Sequence, residues 1–173
     1  VDVEKMKPVI AEYLGALPAV NRKETFKDNK IEMRQGIYKN EFTKQQETPK
    51  ASVFAFYNGD CKYDLRNNLL LSMTSQILDL VYTEKVREDE GGTYGVYVGG
   101  TLQKYPKEKA ILQIIFDTAP EKKEKLMKII FGEIDNITKT GPSEANLNKV
   151  KEYMLKKHTE DLKENSYWLG SID

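Results

Sequence analysis

The segment Val86-Arg87-Glu88-Asp89-Glu90-Gly91-Gly92-Thr93-Tyr94-Gly95-Val96 concentrates the residue types in this chain best suited to chemistry. It sets Arg87 at the C-terminal end of a predicted helix and Tyr94 seven residues on, where a strand should begin. A turn between them would carry both side chains toward one end of the sheet. A guanidinium offers a rigid fork of donors and a phenol a single O–H, a pair suited to holding backbone carbonyls or a developing oxyanion. The same two residues have a purely structural use. Arg87 is favourable near the negative end of a helix dipole, and Tyr94 packs well in a sheet. The residues alone leave both uses open.

Other chemistries are poorly served. A zinc site needs several His, Cys or carboxylate ligands at workable spacing. The chain has one histidine, and neither H-E-x-x-H nor H-x-x-E-H occurs. His158 falls on the apolar stripe of the last predicted helix, between Met154 and Leu162, and reads as a half-buried packing residue. No Ser-His-Asp or Cys-His arrangement can be built around it. Cys61, the one cysteine, sits in Asn58-Gly59-Asp60-Cys61 and reads as an unreactive turn thiol. Gly91-Gly92-Thr93-Tyr94-Gly95 and Gly99-Gly100 match neither the dinucleotide fingerprint nor the P-loop, and they follow a helix where those motifs follow a strand. The Asn136-Ile137-Thr138 sequon lies inside a predicted helix and reads as accidental.

Composition narrows the class. The chain has 173 residues, 39% hydrophobic and 31% charged, which suits one soluble globular domain with a single core. Its formal net charge is zero, so no electrostatic footprint for nucleic acid or an anionic membrane is present. The apolar runs are too short for membrane insertion. The lysine-rich stretches 121–128 and 149–157 interleave with acids, as solvated helix faces do.

The elements that would carry Arg87 and Tyr94 follow from periodicity. Val3, Met6, Val9 or Ile10, Tyr13, Leu14 and Leu17 predict a first helix over residues 3–15, stopping at Leu17-Pro18. Strands are expected over residues 31–42 and 51–57, with Asn58-Gly59-Asp60 as a turn. Leu65, Leu69, Met73, Ile77 and Leu80 or Val81 then mark a long amphipathic helix ending after Val86-Arg87. Residues 93–101 and 109–118 read as strands joined near Tyr105-Pro106. The second is apolar on both faces and so is expected at the centre of the sheet. Thr118-Ala119-Pro120-Glu121 resembles a capping box for a helix with a stripe of Leu126, Ile129 or Ile130, Ile134 and Ile137. Gly141-Pro142 breaks that helix, and Ser143 caps another carrying Leu147, Val150, Met154, His158 and Leu162. The expected fold is α+β: one mixed, largely antiparallel sheet with long helices packed on one face.

The arginine–tyrosine spacing, with glycine at Gly91, resembles the motif in the C-terminal half of pitrilysin-type (insulinase-family, inverted zincin) zinc metallopeptidases. The likeness extends along nearly the whole chain, through Tyr13-Leu14-Gly15-Ala16-Leu17-Pro18, residues 114–120, Gly141-Pro142-Ser143 and Asn165-Ser166-Tyr167-Trp168. Two departures stand out. Glu90 occupies a commonly apolar position, and the strand that normally precedes the first helix is absent. Residues 1–173 are therefore expected to be a single domain cut from a longer protein at both ends.

In that family two halves close around a chamber, and the other half carries H-x-x-E-H and a distal glutamate for zinc. The resemblance implies that this chain holds no cofactor and is inactive alone. Its zinc-bearing catalytic partner would lie in the same polypeptide or another subunit. Arg87 would grip a backbone carbonyl of a peptide or small-protein substrate, and Tyr94 would stabilise the tetrahedral intermediate. Family habit suggests a bacterial periplasm or cell envelope. The alternative is a non-catalytic structural or partner-binding subunit of the same fold. An unrelated α+β small-molecule binder has only the glycine-rich strand behind it.

Overall fold

A computed structural model of the protein describes residues 2–88 and 95–171, with the side chains of residues 87 and 88 excepted. The chain divides into two compact units, Val1–Glu32 and Met33–Asp173.

The first unit contains helix α1, Val3–Tyr13. The Asp2 carboxylate accepts from the backbone N–H groups of Glu4 (3.1 Å) and Lys5 (3.3 Å), so two of the helix's orphan donors are satisfied. The helix ends two residues before the expected Gly15, and the chain then leaves regular structure ahead of Pro18.

Among the described residues the second unit holds a sheet of three strands: β1 Ala51–Asp60, β2 Val96–Gln103 and β3 Lys109–Thr118. Their order is β1-β3-β2, and both pairings are antiparallel. β3 is central, as its two apolar faces require. Its helix-facing row runs Val53, Phe116, Val96 and then Ala55, Ile114, Val98 across the strands. β1 outlasts its expected end, because Asn58, Gly59 and Asp60 pair with Ile111, Ala110 and Lys109 instead of turning. Ladder hydrogen bonds to a full-length partner outweigh the local turn preference of those residues.

The strand expected over residues 31–42 does not form. Gly36 there takes a φ of +80°, which breaks an extended run, and Lys30 just before it takes +55°. Ile31, Ile37 and Phe42 are exposed. Alternating β-formers without a neighbouring strand have no ladder to join.

Helices α2 (Leu65–Tyr82), α3 (Lys123–Thr140) and α4 (Glu144–Asp161) follow the expected order, with a short α5 (Asn165–Ser171) at the end. Asp64 caps α2 through Asn67 N–H at 2.8 Å, and Ser143 caps α4 through Asn146 N–H at 3.2 Å. Gly141 closes α3 with a φ of +76°, and its N–H bonds to the Ile137 carbonyl. The expected capping box does not form, because Ala119 at the N-cap has no side-chain acceptor and makes no cap hydrogen bond. A short 3-10 turn, Pro120–Lys122, leads into α3 with Ala119 at its N-cap position, where a proline can sit at the start without losing a bond.

Leu78 and Tyr82 of α2 and Leu126 and Ile130 of α3 meet Val96, Ile114 and Phe116 in one core. Ile77 and Val81 of α2 pack with Val150 of α4 in a second cluster. α2 is therefore buried along two adjoining stripes, one toward the sheet and one toward α4. The expected stripe caught only part of this: Leu65 and Leu69 are exposed, while Ser75, Leu78 and Tyr82 are inside. The opposite face of the sheet is open, with Phe54, Phe56 and Tyr97 each at least half exposed.

Candidate functional site

The region holding the arginine–tyrosine pair begins where α2 runs out. The last regular turn ends at Tyr82, and residues Thr83–Glu88 continue as a π-helical turn. Such turns are uncommon, persist where side-chain contacts hold them, and gather at functional sites. Here the contacts are explicit. The Tyr82 side chain is buried, and its hydroxyl donates to the Ile130 carbonyl of α3 at 2.9 Å. Lys85 Nζ lies 2.5 Å from Glu133 Oε1, one step further along α3. Val86 is fully buried in the main core. Arg87 is the next residue on this turn.

The backbone of Arg87 is thus described, and its side chain lies outside the described residues, as does all of Tyr94. What the structure supplies is the frame at each end of the segment. Val86 precedes Arg87 and Val96 follows Tyr94 by two residues, and both belong to the same hydrophobic cluster. β2 opens at Val96, and the part of the expected strand at residues 93 and 94 lies outside the described residues.

Burial pushes the Tyr82 phenol well above the usual tyrosine range, with the nearby Tyr57 and Glu133 adding to it. Tyr57 is also raised, by burial first and then by the Asp135 carboxylate. Both phenols stay protonated at neutral pH. The Tyr82 O–H is committed to Ile130, so it serves packing and is no free donor for a substrate.

The glycine-rich strand has a packing explanation. A Cβ on Gly100 would stand 2.6 Å from Leu71 Cγ and 2.7 Å from Ser75 Oγ. Glycine therefore lets α2 lie close against β2, and no ligand needs to be invoked for it. This removes the motive for the small-molecule reading at Gly100.

The remaining candidates resolve simply. His158 is exposed, not half-buried. Its ring meets Tyr167 of α5 edge-on at 5.6 Å, with the Tyr167 hydroxyl 3.3 Å from Nδ1. The second core cluster takes in Val150 and Met154 of α4 and does not extend to His158, one turn further on. Cys61 is partly buried, with Sγ 3.9 Å from the Lys62 carbonyl. Among the described residues no group of His, Cys, Asp and Glu could hold a metal ion. The described residues do not fit a zinc. Also among the described residues, no helix is long and apolar enough to cross a membrane.

Sequence reasoning missed Tyr82, Lys85 and Glu133. A signal for Tyr82 existed: it lies four residues after Leu78, on a helical stripe parallel to the one that was read. The Lys85–Glu133 pair spans two elements distant in sequence and left no local trace.

Comparison with known proteins gives the family. A model of the peptidase M16 inactive domain matches residues 1–154. No curated protein matches the sequence. Among solved structures, the periplasmic protease PqqL from Escherichia coli superposes with a TM-score of 0.64 at 19% identity over 73% of this chain. A peptidase M16 inactive domain from Pseudomonas fluorescens gives 0.55 at 25% identity over 65%. The ferredoxin protease FusC, solved in complex with Arabidopsis ferredoxin, gives 0.58 at 14% identity over 68%. The chain spans 14%, 27% and 13% of those three proteins respectively. The match to the family over most of its length identifies this chain as a member of the peptidase M16 inactive domain family.

Proposed function

We propose that this chain is the zinc-free, substrate-binding part of a zinc metalloendopeptidase, acting through Arg87 and Tyr94 opposite a separate catalytic half. The observation that carries the reading is the π-helical turn Thr83–Glu88, anchored by Val86 in the core of a chain of this family. It puts the backbone of Arg87 on a firmly supported ledge. Chain connectivity keeps Tyr94 within two residues of Val96, a reach of about 7 Å.

The chemistry follows from the donor types. The Arg87 guanidinium would donate to a backbone carbonyl of the bound peptide and fix its register. The Tyr94 phenol would donate to the scissile carbonyl oxygen as that oxygen gains negative charge. Such a donor does most of its work in the transition state, so its loss should appear in kcat more than in KM. The chain supplies no base, nucleophile or metal to this scheme and should not cleave peptides alone. A peptide or small-protein substrate is supported by the relative solved with ferredoxin, and a periplasmic or envelope location by the relative described as periplasmic.

A second reading is a structural or partner-binding module, favoured by the open sheet face at Phe54, Phe56 and Tyr97. Kinetics of the assembled peptidase separate the two. Under the first reading Tyr94→Phe, with zinc content unchanged, lowers kcat by about a hundredfold or more. Turnover equal to wild type would sink it and leave the second.

A further inference from the structure

We propose that Tyr82 and the Lys85–Glu133 pair are positioning residues that hold the π-helical turn, and so the backbone of Arg87, in the register substrate binding requires. This deepens the reading above and rests on it.

Three anchors fall within five residues immediately before Arg87. Tyr82 reaches the Ile130 carbonyl at 2.9 Å from inside the core, and Lys85 reaches Glu133 at 2.5 Å. The steps match, three residues on each helix, so the two contacts form successive rungs between the end of α2 and α3. Val86, fully buried, closes the remaining side. A π-helical turn is intrinsically less favourable than continuing the α-helix, and it persists where the surroundings over-determine it.

Packing alone would not require these polar groups. A phenylalanine at position 82 would fill the same space without the hydroxyl, and a methionine at position 85 would keep the stem of the lysine. What the polar groups add is a fixed angle and register for the turn. The Glu133 side chain is only 16% exposed, which leaves its contact with Lys85 better shielded than an ordinary surface pair. From Val86 the Arg87 Cα lies one virtual bond away, about 3.8 Å. An error in the turn is therefore passed to the arginine undiminished. Misplacing a substrate-binding group by about 1 Å can cost on the order of a hundredfold in rate. Loosening one of two rungs should cost less.

The test is a set of double-mutant cycles in the full peptidase assembled with its zinc-bearing half, reading kcat/KM on a peptide and melting temperature together. Tyr82→Phe should lower kcat/KM about three- to tenfold, and Lys85→Met about two- to fivefold. Glu133→Gln, which keeps an acceptor for Lys85, should fall nearer wild type than Lys85→Met. In an Arg87→Ala background each of these changes should have no further effect on kcat/KM, because the group they position is gone. Undiminished effects in that background would overturn the proposal and make the contacts merely structural. So would wild-type kcat/KM in both Tyr82→Phe and Lys85→Met beside a damaged Arg87→Ala. Wild-type kcat/KM in Arg87→Ala itself would overturn the substrate-binding reading, and the positioning role with it.

Discussion

Adding one methyl group at Gly100 or at Gly99 should have opposite consequences. On the helix-facing side of β2, a Cβ at Gly100 would stand 2.6 Å from Leu71 Cγ and 2.7 Å from Ser75 Oγ. Carbon atoms in comfortable contact are about 3.5 Å apart or more, so something must yield by close to 1 Å. Leu71 Cγ is not the free end of its side chain. Ser75 Oγ is held by its own bond to the Leu71 carbonyl at 3.0 Å. The helix itself must therefore lift, at a cost of about 1–3 kcal/mol.

On the open face the obstacles to a Cβ at Gly99 are the Tyr97 hydroxyl at 2.6 Å and Gln113 Nε2 at 3.1 Å. Both are ends of flexible side chains and can swing into solvent. Alanine there also reduces the freedom of the unfolded chain, worth about 0.5–1 kcal/mol in favour of folding. The unfolded-chain gain is common to both substitutions, so urea unfolding followed by circular dichroism should place Gly100→Ala about 1–3 kcal/mol below Gly99→Ala. Thermal unfolding should put the Gly100→Ala midpoint below wild type, by up to about 10 °C. Equal stabilities would refute the seating of α2 on β2, and with it the support for the turn that carries Arg87.

Removing the α4 cap in Ser143→Ala should cost about 1 kcal/mol in urea unfolding. Burial holds the folded Tyr82 pKa above its unfolded value of 10.0, so its contribution to stability is full below that pH and is lost as pH rises further. Melting curves taken from neutral to strongly alkaline pH should fall more steeply for wild type than for Tyr82→Phe. The Asp64 carboxyl is held below its ordinary value of 3.8 chiefly by the Asn67 N–H, so its contribution is present above that pH and lost as pH falls through the folded pKa. Asp64→Ala should accordingly melt lower than wild type at neutral pH, with the gap closing in acid. Metal analysis of the purified chain should find no stoichiometric zinc, and one tightly held zinc per chain would contradict its assignment to the substrate side.

Much of this architecture was legible because local pattern and tertiary role agree. β3 could be placed at the centre of the sheet since Ile111, Leu112, Ile114, Ile115 and Phe116 leave it no polar face. Gly141-Pro142-Ser143 ends one helix and starts the next by backbone geometry that few other residues supply. Where tertiary context decides, the pattern misled. Residues 31–42 have strand composition and no partner strand, and Asn58-Gly59-Asp60 has turn composition and a full partner in β3. α2 hid its second stripe because it is covered on two sides, which no single period reveals. The arginine–tyrosine spacing is legible as a sequence motif. The contacts of Tyr82 and Lys85 with Ile130 and Glu133, each 48 residues away, exist only in three dimensions.

The measurement closest to the central claim is a structure of the assembled peptidase with a phosphinic peptide, whose tetrahedral phosphorus copies the intermediate. Tyr94 Oη should lie about 2.7–3.1 Å from the phosphinyl oxygen, with the Arg87 guanidinium on a neighbouring backbone carbonyl. An inhibitor seated in the catalytic half with neither Arg87 nor Tyr94 in hydrogen-bond reach of it would contradict the claim and leave this chain a structural partner.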